Sequence, residues 1–236
     1  MLVSILGDSI STYNGYNPNG YAVYYDEEMQ RRNGLKSVYD TWWAKVNQEL
    51  NAFLCVNNSY SGSKVSGEEF PAGCCLERIA NLRTSEYKPD VILIYMGFND
   101  FGYGVPISYA PLNNDGKANL RCFEDAYHHM LTGLRYFYPN AKIVCATLMR
   151  TTLRQNGLLR FPEKLGGISI DDYNNAIRRA ADNCHIGLAD IAKRYINIPS
   201  LNKRDRRYET LDWAHPTVKG HQTIADEWIS CLSKML

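Results

Sequence analysis

A chain of 236 residues is long enough to bury a substantial core and is read here as one α/β domain spanning 1–236. Its 26 basic and 25 acidic side chains nearly cancel, which leaves no electrostatic footprint for nucleic acid or an anionic membrane surface. No apolar run approaches bilayer length, so no membrane span is expected. Met1 leads straight into an apolar strand pattern, so the chain is expected to be cytoplasmic, or secreted if a signal peptide has been removed.

Leu2-Val3-Ser4-Ile5-Leu6 reads as a buried strand, and Gly7-Asp8-Ser9-Ile10-Ser11 turns the chain at its C-terminal end. Taken alone, Asp8-Ser9 could simply cap a following helix. From 12 to 36 the chain is dense in turn residues and tyrosines without clear periodicity, which predicts an ordered flap beside Ser9. Ser37 to Leu50 has helical spacing, with Trp42, Trp43, Val46 and Leu50 on its apolar face. Phe53-Leu54-Cys55-Val56 is a second strand, running into the small polar turn Asn57-Asn58-Ser59-Tyr60-Ser61-Gly62-Ser63.

Helix signals recur at Cys75, Leu76, Ile79 and Leu82, and Pro89 ends them. Val91 to Met96 is the strongest strand pattern, with Gly97-Phe98-Asn99-Asp100 at its end. A Gly/Pro/Asn-rich loop is expected over 101–119, then a helix from about Leu120 to Tyr138 and a fourth strand over Ile143–Leu148. Thr151 to Gly167 reads as an irregular insertion. Asp171 to Asn183 reads as a helix with Asp171 as N-cap, and Ile186–Ala189 as a short fifth strand. Residues 196–214 are polar and irregular, and Pro216 at a first-turn position opens a last helix.

Seven cysteines are an odd number, and several lie inside apolar strand or helix patterns, which suits buried thiols better than a disulfide framework. The Cys74-Cys75 pair has no second pair at ligand spacing, so no metal and no cofactor are expected. Strands alternating with helices imply a parallel sheet wrapped on both faces.

In such a sheet, Ser9, Gly62 and Asn99 would all lie beyond strand ends on one edge. A serine nucleophile needs a base within reach, and that base needs a third group to fix its tautomer. Asp212-Trp213-Ala214-His215-Pro216 offers both, three residues apart and just before the last helix. The backbone N–H groups of Ser9 and Gly62 and the side-chain amide of Asn99 could serve a developing oxyanion.

Gly7-Asp8-Ser9, the Gly62 turn, Gly97-Phe98-Asn99-Asp100 and Asp212-x-x-His215-Pro216 occur in the order seen in the SGNH/GDSL hydrolase family, which this chain resembles from first strand to last helix. The first motif departs slightly, reading Gly-Asp-Ser-Ile where the family has Gly-Asp-Ser-Leu. The resemblance implies a three-layer α/β/α sandwich with a flavodoxin-like, mainly five-stranded parallel sheet. It also implies Ser9 as nucleophile, His215 and Asp212 completing the triad, and Gly62 and Asn99 forming the oxyanion hole with Ser9.

His128, His129, His185 and His221 lack such partners and read as surface or core histidines. The leading expectation is a serine esterase on short acyl esters, with O-acetyl groups on a carbohydrate as substrate and Tyr13, Tyr16 and Tyr21 as contacts. Oligosaccharide or small-molecule esters are the expected partners, and the oligomeric state stays open. A lysophospholipase or thioesterase, or a non-catalytic module on the same fold, are the alternatives.

Overall fold

The central apolar runs form strands because they are buried on both faces of an all-parallel sheet, and β-branched residues fit that pleated surface, while the edge strands stay partly exposed. In the computed structural model these are β1 (Leu2–Gly7), β2 (Phe53–Ser59), β3 (Val91–Tyr95) and β4 (Lys142–Ala146), followed by β5 (Arg150–Thr151), β6 (Gly187–Ala189) and β7 (Tyr195–Ile196). The structure describes residues 1–108, 118–151, 168–193, 195–196, 209–210, 212 and 214–235. The expected insertion over 152–167, most of the irregular stretch 196–214, and Tyr109, Asn113 and Asn114 of the expected loop lie outside them.

The main sheet has the order β2-β1-β3-β4-β6 with every pair parallel. This is the flavodoxin-like arrangement, and its switch point falls between β1 and β3. All five residues of β3 are buried, as a central strand requires. The two-residue strands β5 and β7 pair separately in parallel, and both are too short for any periodicity to reveal.

The helices are α1 (Glu27–Asn33), α2 (Trp42–Glu49), α3 (Leu76–Ala80), α4 (Phe98–Tyr103), α5 (Phe123–Phe137), α6 (Ile170–Asn183) and α7 (Val218–Leu232). Helix α2 packs on α7, while α5 packs on both α3 and α6, giving the two outer layers. The Trp42 and Trp228 rings stack with centroids 5.3 Å apart at 13°, joining α2 to α7.

Several local expectations need correction. The 12–36 stretch contains α1, whose only buried residue is Asn33, so no apolar stripe announced it. Its other signals are present: Asp26 caps it, Glu27 and Glu28 open it, and Gly34 ends it in the left-handed region. The helix expected over 37–50 is split at Thr41, whose extended backbone ends a 3-10 turn and whose hydroxyl caps α2 through the Ala44 N–H. The expected loop after Asn99 begins instead as α4. Helix α6 is capped by Ser169 in a reciprocal box with Asp172, so Asp171 lies inside its first turn and is not the cap. Pro216 precedes α7 and bridges to Thr210, while Thr217 is the cap. All seven cysteines carry free thiols, five of them buried.

Candidate active site

Strand β1 lies between β2 and β3, and Gly7 at its end is level with Ser59 on one side and Tyr95 on the other. The turn that leaves β1 is therefore flanked by the turns that leave its two neighbours. That register brings the turn carrying Ser9 alongside the turns that carry Gly62 and Asn99. A Cβ on Gly7 would fall 2.6 Å from Ser11 Cβ and 2.7 Å from Ser59 Oγ, so only glycine lets the chain turn here. Asp8 then caps a one-turn 3-10 helix over Ser9–Ser11, its Oδ1 accepting the Ile10 N–H at 3.0 Å. Burial pushes the Asp8 carboxyl up to about 7, against the opposing pull of that N–H and of the neighbouring His215.

The loop before α7 reaches Ser9 because α2 holds both ends. Trp42 Nε1 donates to Ser11 Oγ at 3.1 Å and Trp43 Nε1 to the Ser11 carbonyl at 3.0 Å. The Trp42 backbone N–H donates to His221 Nδ1 of α7 at 3.1 Å. His221 is fully buried, and desolvation pushes it down to about 3, so it stays neutral. His128, His129 and His185 are exposed. These four are core and surface histidines, as the sequence implied.

Asp212 and His215 meet within one tight turn. Asp212 Oδ1 accepts the N–H groups of Ala214 at 2.9 Å and His215 at 2.6 Å, while Oδ2 lies 2.8 Å from His215 Nδ1. His215 Nε2 lies 3.0 Å from Ser9 Oγ. Burial works to raise the Asp212 carboxyl, but the bond from the His215 ring, the charge of that ring and the two N–H groups outweigh it and hold the carboxyl below its ordinary value. Among the described residues, no group of three or more His, Cys, Asp or Glu could hold a metal ion.

Gly62 is exposed at φ +80°, a conformation that favours glycine. Among the described residues, the N–H groups of Ser9 and Gly62 find no protein acceptor. Asn99 gives one N–H to the Ser63 carbonyl at 2.9 Å, and among the described residues its second amide hydrogen has no acceptor. The next residue grips the same loop: Asp100, fully buried, accepts from Val65 N–H at 2.7 Å and Ser66 N–H at 2.9 Å. Burial pushes its carboxyl up to about 6, although those two N–H groups pull the other way. Chemically, this is a hydroxyl hydrogen-bonded to an imidazole that is in turn held by a half-buried carboxylate, the pairing that acyl transfer uses.

A family model for GDSL-like lipase/acylhydrolase matches residues 1–157, two thirds of the chain. The chain belongs to the GDSL-like lipase/acylhydrolase family. That match ends before Asp212 and His215, but likeness to solved structures runs the full length. A Bacteroides ovatus protein described as a GDSL-like lipase is 26% identical, with a TM-score of 0.72 over 99% of this chain and 98% of that one. Another from Bacteroides uniformis is 28% identical, with a TM-score of 0.69 over 99% and 95%. A family two carbohydrate esterase from Clostridium thermocellum, solved with cellohexaose, shares the fold at 18% identity and a TM-score of 0.57, over 99% of this chain and 64% of that one. No curated protein matched.

In this GDSL-like chain the tyrosines of the 12–26 segment divide. Tyr13 is buried, donates its hydroxyl to Gln30 Oε1 at 3.1 Å and meets Tyr16 edge-on, so its contacts are those of packing. Tyr16 is 44% exposed and leans on Trp43. Tyr21 packs between Tyr60 and Phe70, with the Arg78 guanidinium 6.0 Å from its ring centre. The segment acts as a strap. Thr12 Oγ1 donates to the Ser9 carbonyl, Asn17 Nδ2 donates to the Asn57 and Ser59 carbonyls, and the Ala22 carbonyl accepts from Ser61 N–H.

Two further residues escaped the sequence reading. Arg78 is fully buried and donates to the carbonyls of Gly7, Asn58 and Pro71 and to Asn58 Oδ1, tying the ends of β1 and β2 together. Its only sequence signal is a cation beside Ile79 in a short apolar helix. Tyr24 has none: it touches Asp212 and His215, which lie near the opposite end of the chain.

Proposed function

We propose that this chain is a serine esterase acting on short-chain acyl esters, O-acetyl groups on a carbohydrate in particular, through an acyl-enzyme on Ser9. The observation that carries this reading is the continuous line of contacts from Asp212 Oδ2 through the His215 ring to Ser9 Oγ, at 2.8 and 3.0 Å. In the first half-reaction Ser9 Oγ attacks the ester carbonyl carbon while His215 Nε2 takes the hydroxyl proton. Negative charge gathers on the former carbonyl oxygen, where the N–H groups of Ser9 and Gly62 and the free amide hydrogen of Asn99 stabilise it. Collapse breaks the bond to the alcohol oxygen, which leaves with the proton from His215. Water then attacks the acyl-enzyme by the same steps in reverse order of roles. The chemistry calls for no cofactor.

Asn99→Ala tests the oxyanion assignment. It should cost about 2.7–4 kcal/mol in kcat, as loss of one such donor does elsewhere. The melting temperature should fall only slightly, because Asp100 still anchors the same loop through two N–H bonds. Unchanged kcat in a folded but destabilised variant would make Asn99 a structural residue.

Support for a polar substrate comes from a cavity formed by the segments that follow Gly62 and Asn99 in the chain. A cavity of about 430 Å³ beyond the Gly62 loop is lined by Lys64, Gly67, Tyr103, Val105, Pro106 and Arg121, among others. It mixes an aromatic ring and two cations with its apolar surface, and burying such groups against an alkyl chain costs free energy. The Clostridium carbohydrate esterase, with its cellohexaose, makes the sugar class available to this fold. Tyr16 and Tyr21 remain candidate ring-stacking contacts. A second reading, hydrolysis of longer acyl esters, is favoured by the lipase description of the Bacteroides relatives. The deciding measurement is kcat/KM for acetyl, butyryl and octanoyl esters of one leaving group, beside acetate release from acetylated oligosaccharides. The acetyl ester should lead. Octanoyl preference with no acetate released from any sugar would replace the first reading with the second.

A further inference from the structure

Tyr24 lies flat on His215. The two rings are parallel to within 7°, with centroids 3.5 Å apart, and the Tyr24 hydroxyl donates to Asp212 Oδ2 at 3.3 Å. That is the same oxygen that faces His215 Nδ1. Tyr24 is itself held by two neighbours. Its backbone N–H donates to Thr12 Oγ1 at 2.9 Å, and that hydroxyl donates to the Ser9 carbonyl. The Tyr25 ring meets it edge-on at 4.9 Å, and Tyr25 is anchored by its hydroxyl on the Pro216 carbonyl at 2.8 Å. One residue is thus tied by backbone to the serine turn and by side chain to both Asp212 and His215.

We propose that Tyr24 is a positioning residue for the base: its ring fixes the plane of the His215 imidazole and its hydroxyl shares Asp212 Oδ2, so that Nε2 stays aimed at Ser9. This rests on the Ser9–His215–Asp212 reading above. The physical need is plain. An imidazole held at Nδ1 alone can still swing about its ring torsion, which is broad. A hydrogen bond fixes a distance but constrains the ring plane weakly, whereas a parallel ring blocks one face and excludes water from it. Because the phenol takes part of the charge on Asp212 Oδ2, it also moderates the pull of that carboxylate on the imidazole. A stacked ring further favours the imidazolium that forms when Ser9 gives up its proton.

Two substitutions separate these effects. Tyr24→Phe keeps the stack and removes the shared bond. Among the described residues, Asp212 Oδ2 then keeps the His215 ring as its side-chain donor and holds the protonated imidazole more firmly. The acid limb of kcat/KM should move up by roughly half a pH unit, with kcat within about threefold of wild type. The other titratable groups near this pair are Ser9, Asp8, His221 and Tyr25, with Arg32 near the Tyr24 hydroxyl. All are unchanged in the variant, so the shift is read as a difference from wild type. Tyr24→Leu removes the stack as well. It should lower kcat on the order of ten- to a hundredfold, with KM within about threefold, since misplacement of a reacting group by a fraction of its reach acts on the chemical step.

Both are assayed per labelled active site, beside Ser9→Ala. If Ser9→Ala stays active, the triad reading fails and this proposal with it. If Ser9→Ala is dead while both Tyr24 variants keep wild-type kcat and acid limb, the triad stands and the positioning role is overturned. A raised KM with unchanged kcat would also overturn it, because Tyr24 would then be a substrate contact. Should Tyr24→Leu fail to fold, the acid limb of Tyr24→Phe decides alone.

Discussion

Ser9→Ala is expected to lower kcat by about four orders of magnitude or more, the scale of nucleophile loss in comparable triads. The structure makes this a clean test. The Ser9 hydroxyl hydrogen-bonds His215 Nε2 at 3.0 Å, while the turn that holds Ser9 is secured by backbone and neighbours. Asp8 caps it, Thr12 Oγ1 bonds the Ser9 carbonyl, and Trp42 and Trp43 hold Ser11. Removing one oxygen therefore leaves the turn intact, and the melting temperature should hold. Covalent labelling by a fluorophosphonate should disappear with the hydroxyl. Labelling that persisted at another serine would relocate the nucleophile.

His215→Ala should be nearly as damaging, and Asp212→Asn less so, because the base survives when only its orienter is altered. Asp212 does two jobs with its two oxygens. Oδ1 closes the turn by accepting two N–H groups, and Oδ2 faces the imidazole and the Tyr24 hydroxyl. An asparagine with its oxygen toward the turn would keep that turn closed and set an amide N–H₂ against Nδ1, favouring the wrong tautomer. The fold should thus survive while kcat falls by about one to two orders of magnitude less than in His215→Ala. Wild-type activity should rise with pH as an imidazole base loses its proton. A flat profile between about pH 5 and 9 would argue against a histidine base.

The strands were readable because a doubly covered parallel strand must be apolar along its whole length, as Val91–Tyr95 is. The candidate site residues were legible for a different reason. Ser9, Gly62 and Asn99 come after strand ends, where small polar residues interrupt apolar runs, and Asp212 and His215 sit at the spacing of a single turn. What one-dimensional spacing hides is contact between segments. Helix α1 was missed because it buries only Asn33, and its capping signals are weak without a stripe.

The 12–26 segment shows the limit best. Its tyrosines were legible as an ordered stretch, but composition could not separate those that pack from those that face the site. Tyr13 went into the core and Tyr24 onto His215, although both are tyrosines amid the same turn residues.

The sequence by itself determined which strands could form, which turns end them, and which residue types stand there, since each depends on local backbone preference and burial period. Only the tertiary structure decided that β1 lies between β2 and β3, which brings the turn carrying Ser9 alongside the turns that leave both neighbours. It alone decided that Tyr24 meets Asp212 across 188 residues of chain. The reason is physical: sheet order and ring stacking are set by which surfaces bury one another best over the whole molecule, and no local stretch contains that comparison.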